Sequence, residues 1–139
     1  MRRHELLHVL RAADSVTNGR VKFVIIGSQA ILGTADPSSH ILSRSMEADL
    51  AVVPSDENED AERYAAIVDG AIGNGSPFAS NFGYYADGVE IKTADLAPGW
   101  QQRLVEIAYD AYGTTRSAEC LSAADLAVSK LLAGREKDF

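Results

Sequence analysis

Apolar residues recur along the chain with two different periods, and these periods separate predicted helices from predicted strands. Within residues 5–17 they recur every three or four positions, which predicts an amphipathic helix that ends before Asn18-Gly19. Residues 56–72 show the same spacing, and their acidic first turn suits the positive end of a helix dipole. Ser122 can cap a last helix, which is expected to run to about Ala133.

Other segments are rich in β-branched and aromatic residues or alternate apolar with polar positions, and these predict strands. The predicted strands are Val21–Ile26, Met46–Val53, Val89–Lys92 and Leu104–Ala108. In the second strand the acids Glu47 and Asp49 alternate with apolar residues, so both point to one face. The mixture of helices and strands predicts an α/β protein.

The connections between these elements carry glycine, proline and serine. Gly27 directly follows the first strand, and Ser28–Leu32 is expected to form a short helix with Ser28 as its cap. Residues 33–45 are expected to form a loop. Residues 73–87 are rich in glycine and aromatic residues and predict a loop with a short helical or strand-like piece.

Composition fits one soluble domain of 139 residues. Hydrophobic residues make up 46% and charged residues 24%, which excludes a wholly disordered or low-complexity chain. The single cysteine, Cys120, excludes an intramolecular disulfide and is expected to be buried and inert. The longest apolar run is far below the roughly 20 residues of a membrane span. The N-terminus has no continuous apolar core, so a cytoplasmic protein with no membrane partner is expected.

The net charge of −7 is unevenly distributed. Residues 46–139 hold seventeen of the acidic side chains, so the general field of the domain does not attract nucleic acid. Such a domain can instead hold a divalent cation or face a basic partner. A nucleic-acid substrate would need a local basic patch, for which the N-terminal segment is the candidate. Its basic residues are Arg2, Arg3, Arg11, Arg20 and Lys22.

Two short motifs carry chemistry in combination. Glycine after a strand lets a phosphate approach the backbone, and Ser28 at a helix start adds a hydroxyl and N–H donors. Carboxylates at Glu47 and Asp49 can share a Mg²⁺ ion. Together they would bring a triphosphate and its metal to one place, as phosphoryl or nucleotidyl transfer requires. Each motif alone is weak, because a surface strand edge also explains two alternating acids.

Several other residues are open to a structural or a functional interpretation. Tyr84 and Tyr85 are expected mainly in the core, with nucleobase stacking as the alternative. Trp100 follows a Pro-Gly turn and is expected to anchor it. His4 and His8 share a helix face, which predicts a solvated surface rather than a metal pair.

Gly27-Ser28 followed by Glu47-x-Asp49 resembles the Gly-Ser…[Asp/Glu]-x-Asp signature of the DNA-polymerase-β-like nucleotidyltransferases. Later stretches resemble a bacterial branch of small nucleotidyltransferase-like proteins, similar to the AbiEii-type toxins of toxin–antitoxin and phage-defence systems. These stretches are Tyr84–Val89, Ala97–Leu104 and Asp125–Asp138. The resemblance covers nearly the whole chain and implies a minimal nucleotidyltransferase fold, α/β (α+β), with a small mixed sheet flanked by helices.

The resemblance also implies a reaction and its residues. Mg²⁺ or Mn²⁺ would be the cofactor and a nucleoside triphosphate (NTP) the substrate, with a nucleotide transferred to an acceptor hydroxyl. In toxin relatives that acceptor can be the 3′ end of tRNA, and the protein partner a cognate antitoxin or toxin. Gly27 and Ser28 would hold the triphosphate, and Glu47 and Asp49 the metal. The other implied residues are Lys130, Arg135 and Lys137 at phosphate and Asp138 as a metal-linked or base-like acid.

The sequence departs from the family signature at two points. Glu47 stands where aspartate is usual, and its longer side chain must fold back to keep the metal geometry. A third carboxylate is expected on a neighbouring strand, where Asp87 and Glu90 are both candidates and Lys92 is an alternative occupant. The alternative function is therefore a catalytically degenerate nucleotidyltransferase fold that binds a nucleotide or a partner protein.

Overall fold

The computed structural model describes residues 1–33 and 46–137, with the side chains of 31, 93 and 133–137 left out. The α-helices are α1 (Arg3–Val16), α2 (Ala61–Ile72), α3 (Pro77–Phe82) and α4 (Ala123–Lys137). The strands are β1 (Val21–Ile26), β2 (Glu47–Pro54), β3 (Tyr85–Val89), β4 (Val105–Ala111) and β5 (Thr114–Cys120). Short 3₁₀ helices span Ser28–Gly33, Ile91–Thr93 and Trp100–Arg103.

The strands form one five-stranded mixed sheet in the order β3-β2-β1-β5-β4. β1 runs antiparallel to β2 and parallel to β5, while β2 runs parallel to β3. The register sets Ile26 opposite Asp49 and Asp49 opposite Asp87. The end of β1 and the acidic residues of β2 and β3 therefore lie side by side in the sheet. The small mixed sheet flanked by helices is confirmed.

The core lies between one face of the sheet and helices α1 and α2. α1 buries an apolar stripe that includes Leu6, Val9 and Leu10, as its spacing predicts. Phe23 and Leu50 point into the same core. Because side chains alternate along a strand, the odd-numbered acids of β2 point to the opposite face.

β5 is a strand that the sequence analysis did not predict. Its apolar burial is confined to Ala118 and Cys120 near its end, so it lacks the apolar run that predicts a strand. Its partner β4 confirms and extends the predicted strand at Leu104–Ala108. The two strands meet at Tyr112-Gly113, where both residues have positive φ, as a tight two-residue hairpin turn requires.

The segment 73–92 differs from its prediction. The expected loop contains α3 and most of β3, and the strand expected at Val89–Lys92 is instead Tyr85–Val89 followed by a 3₁₀ turn. Upstream, α2 begins at Ala61 rather than near 56, because the Asp60 side chain accepts a hydrogen bond from the Glu62 N–H and caps the helix there.

Helix α4 begins as predicted and extends further than predicted. The Asp125 N–H donates to the Ser122 hydroxyl at 3.2 Å, which confirms Ser122 as the cap. The helix continues through Gly134 to Lys137 rather than ending near Ala133. Arg103 holds its first turn by donating from Nε and Nη2 to the two Asp125 carboxylate oxygens at 2.8 and 2.7 Å.

His8 is not on a solvated face. Its Nδ1 lies 2.6 Å from the Tyr84 hydroxyl, and its ring packs against Phe78 and Phe82. Burial, and then the charge of Arg11, hold the pKa of His8 below its usual value. Tyr84 is therefore a core residue, as expected.

Other structural predictions are confirmed. Trp100 is partly buried against the core beside its Pro-Gly turn. Cys120 is buried, and burial raises the pKa of its thiol to about 12. The loop expected at 33–45 falls, apart from Gly33, outside the described residues. Among the described helices, none has the length and apolar character needed to cross a membrane.

Candidate active site

Three carboxylates converge on one side of the sheet. Glu47 and Asp49 project from β2 on the face opposite the core residues Ala48 and Leu50. Asp87 projects from β3 in register with Asp49. One oxygen from each of the three acids can be chosen so that all lie within 4.8 Å of one another. Carboxylate oxygens at this spacing suit a single hard divalent cation.

The structure distinguishes between the candidates for the third carboxylate. Asp87 lies in the group with Glu47 and Asp49. Glu90 instead follows the end of β3 and pairs with Lys92 at 3.1 Å. The Lys92 side chain is 76% exposed, so it does not occupy the position of an acid in the group.

Gly27 lies directly against this group. Its φ is +76°, a conformation that favours glycine. A Cβ at this position would lie 2.8 Å from Asp49 Oδ2, so a side chain there would displace the carboxylate. Ser28 follows and opens the 3₁₀ helix. The two motifs that the sequence places about twenty residues apart are thus in contact.

The electrostatics of the group favour a bound cation or a bound proton. Burial is the main cause that raises the pKa of Asp49. A hydrogen bond with Glu47 lowers this pKa, and the charge of Asp87 raises it further. Burial likewise raises the pKa of Asp87. The hydrogen bond with Asp87 lowers the pKa of Glu47, but its contacts with Asp49 and burial together raise it. Like charges this close disfavour full ionisation in the absence of a cation.

A fourth carboxylate, Asp69 on α2, borders the group and was missed in the sequence analysis. Its side chain accepts a hydrogen bond from the Gly88 N–H at 2.9 Å. Burial raises the pKa of Asp69, and although the hydrogen bond from Gly88 lowers it, the charge of Asp87 and a hydrogen bond with Asp87 raise it further. The Asn74 N–H adds a hydrogen bond to Asp87. No short motif marks Asp69, since only the packing of α2 on β3 brings it there.

Tyr85 lies beside the carboxylates, whereas its neighbour Tyr84 lies in the core. Tyr85 is in register with Glu47 and is partly exposed. Burial, and then the charges of Glu47 and Asp87, raise the pKa of its hydroxyl. The core position expected for Tyr85 is therefore wrong. The strand alternation that points Asp87 at the site points Tyr85 there too.

Of the site residues predicted in the last helix, Lys130 alone has a described side chain, and it is not joined to this group. Lys130 is exposed on α4, which lies against the 3₁₀ helix that begins at Ser28. No hydrogen bond or ion pair found within 1–33 and 46–137 connects Lys130 to the three acids. Arg135 and Lys137 lie on α4 with undescribed side chains, and Asp138 lies outside the described residues. Their assigned roles stay predictions.

Comparison with protein families agrees with this geometry. Residues 4–139 match the family described as "Nucleotidyltransferase of unknown function", and the chain belongs to that family. The match supports a nucleotidyltransferase-like protein, while the similarity to AbiEii-type toxins stays a prediction. Comparison with curated proteins and with solved structures finds no significant match.

Proposed function

We propose that this protein is a metal-dependent nucleotidyltransferase that moves a nucleotide from an NTP to an acceptor hydroxyl. The observation that supports it best is the convergence of Glu47, Asp49 and Asp87 beside Gly27. A strand-end glycine in contact with a metal-competent aspartate suits a triphosphate and a cation that bind together. Membership of the nucleotidyltransferase family supports the same chemistry.

The residues divide the work as follows. Glu47, Asp49 and Asp87 would hold Mg²⁺ or Mn²⁺, and the bound ion would offset phosphate charge as the α-phosphorus is attacked. The Gly27 backbone and the Ser28 hydroxyl would contact the triphosphate. The acceptor oxygen bonds to the α-phosphorus, the bond from that phosphorus to the bridging oxygen breaks, and pyrophosphate leaves. A carboxylate of the group would accept the hydroxyl proton.

We propose an RNA 3′ end, such as that of tRNA, as the acceptor. An acidic domain must meet RNA through a local basic surface. Arg2 is exposed at the start of α1, and Arg3 beside it donates to the Gly33 carbonyl at 3.2 Å. Gly33 ends the 3₁₀ helix that starts at Ser28, so Arg3 lies at the far end of the element that leaves the site, and Arg2 precedes it in the chain. A toxin–antitoxin or phage-defence role, with a cognate protein partner, is proposed from the sequence resemblance.

A degenerate fold that binds nucleotide without transfer is the second candidate. Glu47 supports it, because this longer acid stands where aspartate is usual. The presence of Asp87 in the group weighs against it, since the group then holds three acids. The two candidate functions differ in whether a bound nucleotide is transferred to an acceptor.

Label transfer to RNA tests the proposal. The protein is incubated with total RNA, Mg²⁺ and each of the four NTPs, labelled at the α- or the γ-phosphate. Nucleotidyl transfer predicts that α-label joins the RNA, that γ-label does not, and that EDTA abolishes the reaction. Transfer of γ-label would overturn nucleotidyl transfer in favour of phosphoryl transfer. NTP binding without label in RNA or in protein would favour the degenerate fold.

A further inference from the structure

We propose that Asp69 is a positioning residue that fixes Asp87 in the candidate metal site without itself binding the metal. This inference rests on the proposed function and extends it from the strands to helix α2. Three independent contacts between α2, its following turn and β3 support it.

The first contact is between backbones. A Cβ on Gly88 would lie 2.3 Å from the Ala65 carbonyl oxygen, so helix α2 lies directly on β3 at this glycine. Such an approach fixes the distance between the helix and the strand, because neither backbone can move closer. Asp69 is four residues after Ala65 and therefore lies on the same face of α2, one turn further along.

The second contact gives a hydrogen-bond acceptor to a backbone N–H at the edge of the sheet. β3 is an edge strand, and the Tyr85 N–H donates to the carbonyl of Met46, the residue just before β2. Backbone N–H groups alternate in direction along a strand, so the Gly88 N–H points away from β2. The Asp69 side chain accepts it at 2.9 Å. The residue directly after Asp87 is thus tied to α2.

The third contact is with the Asp87 side chain itself. Its carboxyl group lies within hydrogen-bonding reach of both Glu47 and Asp69, and it receives the Asn74 N–H from the turn after α2. Asp69 is not among the three acids whose oxygens converge within 4.8 Å. Asp69 therefore contacts Asp87 without joining the group of three converging acids.

The two roles of Asp69, positioning residue or metal ligand, differ in whether its negative charge is needed. Asparagine at 69 keeps an oxygen to accept the Gly88 N–H, and its NH₂ group can donate to Asp87. A positioning residue therefore tolerates Asp69→Asn, whereas Asp69→Ala loses both contacts. A metal ligand does not tolerate loss of its charge, so Asp49→Asn is the matched comparison.

Binding of Mn²⁺ alone tests the proposal, with free Mn²⁺ measured by electron paramagnetic resonance. We expect Asp69→Ala to weaken Mn²⁺ binding by about 10- to 100-fold, as loss of a group that holds a metal ligand does elsewhere. Asp69→Asn should stay within about threefold of wild type, while Asp49→Asn loses binding. Thermal unfolding without metal checks whether each variant is folded.

Each result has a separate meaning. If Asp69→Asn binds as weakly as Asp49→Asn, Asp69 acts through its charge and the positioning role is wrong. If a folded Asp69→Ala binds Mn²⁺ like wild type, Asp69 has no part in the site, and the proposed function survives. If Asp69→Ala does not fold, the comparison of the two asparagine variants still decides. If wild type binds no Mn²⁺, this proposal and the proposed metal-dependent activity both fail.

Discussion

Replacing Asp49 by asparagine is expected to reduce nucleotide transfer by at least about a thousandfold, since a metal ion contributes several kcal/mol of transition-state stabilisation. Asp49 is central to the site because it faces Asp87 across the strands and lies against Gly27. The matched control is Glu106→Gln, which removes one exposed carboxylate from the same sheet on β4. We expect that control to transfer nucleotide like wild type. Equal activity in both variants would contradict the assignment.

The same variant is expected to be more stable than wild type at neutral pH without metal. Burial, the main cause, holds the pKa of Asp49 above its ordinary value of 3.8, so the folded state binds this proton more tightly than the unfolded state. The stability that the protonated Asp49 contributes is therefore fully present below pH 3.8 and is lost as pH rises through the raised pKa of the folded state. Asparagine has no such loss. Urea unfolding in EDTA should show a gap in favour of Asp49→Asn that widens from about pH 4 to pH 7.

Replacing Arg116 by methionine is expected to lower the free energy of unfolding by about 3–5 kcal/mol. The Asp14 side chain is fully buried on α1, and Arg116 Nε lies 2.6 Å from its Oδ2. The Tyr109 hydroxyl also donates to that oxygen at 3.1 Å. Without the guanidinium, a buried carboxylate keeps one neutral hydrogen bond and no opposite charge. A fall in Tm of at least about 10 °C should follow.

Two further variants test this explanation. The double variant Asp14→Leu, Arg116→Met should recover most of the lost stability, because apolar replacement of both partners of a largely buried ion pair is often nearly neutral. Lys92→Met removes an exposed cation from its pair with Glu90 and should leave Tm unchanged, since solvent screens the charge of Lys92. An Arg116→Met protein that melts with wild type would show that the pair does not stabilise the fold.

The sequence predicts the elements whose apolar pattern is local and complete. α1, β1 and β2 carry such patterns, and their bounds are predicted to within two residues. β5 is mostly polar in sequence and is a strand because β1 and β4 lie on either side of it. β3 was displaced in the prediction, since Tyr84 and Tyr85 follow a glycine-rich segment that resembles a loop. Tertiary pairing, which no local pattern encodes, determines both strands.

The residues of the candidate site likewise include some that local sequence predicts and others that only tertiary structure reveals. Gly27 and the Glu47-x-Asp49 pair are predictable, because a strand end and strand alternation are local properties. Choosing Asp87 over Glu90 requires the register of β3 against β2. Asp69 requires the packing of a helix against a strand nineteen residues away. The resemblance supplies roles for Lys130 and for the residues after it, and those roles stay predictions.

The most direct test of the central claim is thermal unfolding of wild type and Asp49→Asn with each NTP, with and without Mg²⁺. A ligand that binds only the native state raises Tm by mass action. A metal and triphosphate site predicts that wild-type Tm rises with Mg²⁺ and an NTP together and that this rise is absent in Asp49→Asn. No rise with any NTP at millimolar concentration, or an equal rise in both proteins, would contradict it.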